Sequence, residues 1–127
     1  MAPKNKRDEQ IVRAWKRFQL NWWASDELQD ANRHTPERAW RLLGKVAKAA
    51  TNDELANALG AGPLQDFIRH HAPRFIDRIE RRAKKERWFG EALKSAWLPR
   101  AGDRVSMRLF ELGVIAIGAS REKWQTG

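Results

Sequence analysis

The chain contains no cysteine and no tyrosine. Without a thiol there is no disulfide, no thiolate zinc site and no cysteine nucleophile, which suits a reducing compartment and leads us to expect a cytoplasmic protein. Histidine is scarce too: His34, His70 and His71 are the only three. Long apolar runs are missing. The longest, LGVIAIGA at 112–119, is less than half of the roughly 20 residues a helix needs to cross a bilayer. The opening MAPKNKRDEQ is charged and is not followed by an apolar stretch, so neither a secretory signal nor a membrane anchor is expected. Acid is the remaining shortage: 16 Asp and Glu face 25 Lys and Arg, for a formal charge of +9. That imbalance creates a positive field and points to an anionic partner. It is uneven. Residues 67–90 carry eight bases and three acids, while 51–66 carry three acids and no base.

What the chain does have is helical periodicity and seven tryptophans. At 127 residues it fits one domain that buries roughly two-thirds of its unfolded surface. Ile11, Trp15, Phe18 and Trp22 recur every three or four residues, predicting a helix from Asp8 to Trp23 with Asp8 as its N-cap. A further turn is expected at Ser25. Thr35-Pro36-Glu37 reads as a cap, a proline that needs no amide and a first-turn acid. The helix behind it buries Ala39, Trp40, Leu43, Val46, Ala47 and Ala50. Thr51 and Glu54 have capping-box spacing for a short helix that Gly60 would close in a left-handed conformation. Pro73 is expected to open the next helix, RFIDRIERRAKKE, with Phe75, Ile76, Ile79 and Ala83 inward. Another spans WFGEALKSAW. Residues 103–120 are read as helix, with a strand in GVIAI as the alternative. The expectation is an all-α, single-domain bundle of five to seven helices covering 1–127, flexible over 1–7 and frayed over 121–127.

The segment LGAGPLQDF at 59–67 is either a phosphate-cradling loop or a joint between helices. Its free amides would suit an anion. However, Pro63 removes one donor, Asp66 adds negative charge, and no Lys-Ser or Lys-Thr follows as in a Walker loop. We read it as a joint. PERAW at 36–40, AGPLQD at 61–66, FIDRIERRA at 75–83 and FGEALKSAW at 89–97 together resemble a family of small uncharacterised bacterial helical proteins. The hallmark of that domain of unknown function is an Ala-Gly-Pro-Leu-Glu-Asp segment. The resemblance runs from Trp15 to Trp97 and implies a helical fold but no activity. Gln65 stands where the family has glutamate, and ERWF at 86–89 where an Asp-Pro turn is common. Any catalytic role of the family's acid would be lost here.

The catalytic inventory is thin. Asp66 and His70, one helical turn apart, could orient one another or share a metal with a third ligand, but the surface-contact reading is preferred. No catalytic, cofactor or metal residue is assigned, and no enzyme is expected. Partner binding is expected from Arg13, Arg17, Trp22, Trp23, Arg74, Arg78, Arg81, Arg82 and Lys85, since guanidinium forks grip carboxylate or phosphate and exposed indoles anchor interfaces. A smaller basic stripe joins Arg38, Arg41, Lys45 and Lys48. Trp15, Trp40 and Trp97 are assigned to the core. The favoured function is a non-catalytic module of immunity, antitoxin or adaptor type docking an acidic protein surface. The alternative is sequence-nonspecific nucleic-acid binding.

Overall fold

The computed structural model describes residues 3–17, 22–98 and 104–116, without the side chains of 3–5, 17, 22, 23, 25, 98 and 116. Helix α1 (Pro3–Arg17) starts well before the expected cap and takes in residues 3–7, expected to be flexible. Asp8 is therefore not an N-cap. It sits inside α1 on the same stripe as Ile11 and Trp15, and all three are buried. Phe18 and the expected fray at 121–127 lie outside the described residues. Helix α2 (Trp22–His34) replaces the single turn expected at Ser25, with Ala24, Leu28, Ala31 and Asn32 buried along one face.

Helix α3 (Pro36–Ala49) begins at the proline as its chemistry dictates. Thr35 makes no side-chain cap bond; its hydroxyl turns back to the Ala31 carbonyl at 3.5 Å. All six residues assigned to the α3 stripe are buried. Helix α4 (Asp53–Leu59) is capped by Asn52, whose Oδ1 accepts from the Leu55 amide at 2.8 Å. The Thr51–Glu54 box is thus displaced by the residue between them. Gly60 does not close α4 in a left-handed turn, for its φ of −64° is right-handed. It is glycine because α6 passes close by: an added Cβ would lie 1.8 Å from the Ala92 carbonyl oxygen.

A wide π-type turn, Gly60–Leu64, carries the chain on, with the break confined to Gly62 (φ −117°, ψ −105°). Helix α5 (Gln65–Lys85) then runs for 21 residues straight through Pro73. The expected helix start at Pro73 is wrong for a reason visible in burial. Phe67, Ile68, Ala72, Phe75, Ile76 and Ile79 form one uninterrupted core face, whereas Pro73 is exposed. Core packing outweighs the roughly 3 kcal/mol interior cost of proline.

Helix α6 (Arg87–Leu93) leads into β1 (Trp97–Leu98), and helix α7 (Arg104–Glu111) into β2 (Ile115–Ala116). These two-residue segments pair in parallel, Trp97 opposite Ile115. The helix expected through 103–120 therefore stops at Glu111. Gly113 has φ +108°, and the Val114 amide reaches the Leu109 carbonyl at 3.1 Å while that of Gly113 reaches Phe110 at 3.0 Å. This is a Schellman closure, which favours glycine at its left-handed position. The strand GVIAI offers has a partner after all. Among the described residues the fold is all-α apart from this bridge, with seven helices around one core. Trp40 lies at its centre, 5.8 Å from Phe67, 5.8 Å from Phe75 and edge-on to Phe89 at 5.7 Å between centroids. Trp97, assigned to the core, is instead 45% exposed beside Ile115, since the strand turns it outward.

Candidate functional site

Internal pairing divides the expected basic residues into two groups. Arg78 meets Glu37 of α3 at 2.9 Å and lies 4.9 Å from the Phe75 ring centroid. Arg82 meets Glu86 at 3.0 Å and sits 4.3 Å above Trp40. Gly44 makes room for it, since a Cβ there would fall 2.4 Å from the Arg82 guanidinium. Both arginines fasten α5 to its neighbours, so neither stands free for a partner. Three of the four cations of the smaller stripe are spent in the same way, while Lys48 is exposed. Arg38 pairs with Glu27, and Arg41 and Lys45 converge on Asp8 at 2.9 and 3.1 Å.

Asp8 is the structural feature that sequence reading missed. Burial pushes its carboxyl up, but the hydrogen bonds and charges of Arg41 and Lys45 outweigh that and hold it below the ordinary 3.8. The signal was present: Asp8 precedes Ile11 and Trp15 by three and seven residues, which places it on the buried face. Likewise Arg108 of α7 reaches both Asp77 and Glu80 of α5. Its hydrogen bond is the main cause of the lowered Glu80 carboxyl, against the opposing effect of burial.

Of the expected residues on α5, those outside these pairs form a line; Arg33, Lys48 and Arg69 are exposed cations elsewhere. Arg74, Arg81 and Lys85 are exposed, recur at spacings of seven and four, and form no ion pair among the described residues. Helical rise places them about 10 and 6 Å apart along one face. Lys84 is exposed beside them. At the C-terminal end Arg87 stacks 4.8 Å from the Trp88 centroid. Arg13 is exposed on α1, while the side chains of Arg17, Trp22 and Trp23 lie outside the described residues.

The LGAGPLQDF joint has its own geometry. Asn32 of α2 donates through Nδ2 to the Pro63 carbonyl at 3.1 Å and to Asp66 Oδ2 at 3.0 Å. Two acceptors on one nitrogen fix the orientation of that amide. Gln65, the departure from the family acid, accepts the Trp97 amide at 2.9 Å, a role glutamate would fill equally. The family of unknown function DUF6869 matches residues 13–113. The chain belongs to that family. No curated protein and no solved structure matches the chain. Within DUF6869, then, the AGPLQD segment of this member is a joint tied to α2 by Asn32 and to β1 by Gln65. His70 lies 3.5 Å from Asp66 Oδ1 and 2.8 Å from the Asp66 carbonyl, and among the described residues no third His, Asp or Glu joins them as a metal set would. No helix among the described residues is long and apolar enough to cross a membrane.

Proposed function

We propose that this chain is a non-catalytic binding protein that docks an acidic protein surface on the outer face of α5, through Arg74, Arg81, Lys84 and Lys85. The observation that carries this reading is selective pairing. The carboxylates packed around α5, Glu37, Asp77, Glu80 and Glu86, are held by Arg78, Arg82 and Arg108, whereas Arg74, Arg81 and Lys85 form no ion pair among the described residues. A protein partner fits better than a nucleic acid for one reason. The stacked Arg87–Trp88 pair at the end of the helix supplies the residue types that dominate protein interfaces.

The test is fluorescence anisotropy with a labelled ten-residue polyglutamate and a DNA duplex of matched charge, on wild type and on Arg74→Glu/Arg81→Glu/Lys85→Glu. The polyglutamate should bind at low salt and lose at least tenfold in the variant, as charge-assisted contacts of this kind predict. Equal affinity in the two proteins would overturn the proposal. Stronger binding to the duplex, lost in the same variant, would assign the stripe to nucleic acid instead.

A further inference from the structure

A cleft of about 360 Å³ opens between α1, α2, α4, the Gly60–Leu64 turn and the first turn of α5. Trp15, Leu28, Ala58 and Pro63 give it apolar walls, and Gln29, Asn32 and Asp66 give it polar ones. Among the described residues, no lysine, arginine or histidine lines it. Asn32 is wholly buried. Its Nδ2 is spent on Pro63 and Asp66, while its Oδ1 has no hydrogen-bond partner. A buried amide oxygen left without a donor costs about 1–3 kcal/mol, and this one has essentially no accessible surface of its own. The Asp66 carboxylate is the one formal charge on the lining. Among the described residues its hydrogen-bond donor is the Asn32 amide at 3.0 Å. The nearby His70 Nδ1 lies closer to the Asp66 carbonyl, at 2.8 Å, than to the carboxylate, at 3.5 Å.

The one formal charge on the described lining is thus negative, and Trp15, Leu28, Ala58 and Pro63 supply an apolar wall. We propose that this cleft binds a small aliphatic organic cation: an ammonium or guanidinium head pairs with the Asp66 carboxylate, and its carbon stem lies against Trp15, Leu28 and Ala58. The volume lies in the range of small-molecule sites, roughly 300–1,000 Å³. It admits one such head and a short stem. The chain's own charge segregation favours the assignment, because the two stretches that line much of the cleft, 18–32 and 51–66, each hold three acids and no Lys or Arg. The inference does not rest on the α5 stripe.

Isothermal titration calorimetry of the full chain with agmatine tests it, with N-acetyl-arginine methylamide as a blocked side chain and n-butylurea as an uncharged control. Agmatine should saturate one site per chain, and butylurea should not. Asp66→Asn keeps an oxygen for Asn32 Nδ2 and removes only the charge; affinity should fall about tenfold or more, the usual scale for a charged hydrogen bond. Ala58→Phe, which fills the cleft and leaves the carboxylate, should abolish binding, with both variants matching wild type in circular dichroism. Tighter binding of agmatine than of the blocked arginine identifies a free amine as ligand, and the reverse identifies a basic side chain presented to the same cleft. Absence of saturable binding by either cation, or undiminished affinity in Asp66→Asn, would overturn the proposal.

Discussion

At the scale of single residues, the governing fact is that a buried charge must be answered by another. Asp8 has no exposure, and Arg41 and Lys45 reach it across the α1–α3 contact. Asp8→Asn keeps the shape and removes the charge, and should cost roughly 1–3 kcal/mol at pH 7 by urea denaturation. The pH dependence has a definite sign. Because the folded carboxyl lies below its unfolded value near 3.8, its stabilisation is fully present above that pH and lost as pH falls through the folded value. The gap between wild type and Asp8→Asn should therefore narrow between pH 5 and about pH 2.5. An undiminished gap at the acid end would mean that packing, not charge, holds the contact.

At the scale of elements, two positions separate local preference from packing. Gly60 lies where α4 ends against α6, with the Ala92 carbonyl only 1.8 Å from any added Cβ. Because the obstruction is backbone, Gly60→Ala must part the two helices, and a loss of roughly 2–4 kcal/mol is expected in the midpoint of denaturation. Pro73 is the converse. It interrupts the α5 ladder on the exposed side while the core face continues, so Pro73→Ala should raise stability by about 1–2 kcal/mol, the restored helix bond outweighing the greater freedom of the unfolded chain. A decrease would show that the proline's restriction of the unfolded chain outweighs what it costs the helix. These cases also mark how much was legible. The stripes of α3 and α5 were, because buried positions recur every three or four residues. The caps at Asn52 and Gly60 were not, since the choice among neighbouring cap residues depends on what packs alongside. Nor was Asn32 beside Asp66, which are 34 residues apart and joined by no shared period.

For the whole molecule, the charge of +9 is less telling than where it stays unpaired. With Arg78, Arg82 and Arg108 committed to internal acids, association with an acidic protein should depend on Arg74, Arg81 and Lys85 and weaken steeply as salt rises from about 50 to 300 mM, as exposed charges become screened. An affinity insensitive to salt would contradict docking by this face. Removing Arg78 should act differently: Arg78→Ala loses a tie to Glu37 and lowers stability by about 1 kcal/mol or less, leaving salt-dependent binding in place.

The sequence by itself determined the helical class, the buried faces and the excess of positive charge, because each is a property of local spacing or of composition. Tertiary structure decided which cations remain free, why Gly60 must lack a side chain, that Gly113 turns the last helix into a strand beside Trp97, and that Asn32 meets Asp66 at an acceptor-lined cleft. Those outcomes depend on groups far apart in the chain arriving within a few ångströms of one another, and no period in the sequence encodes that distance.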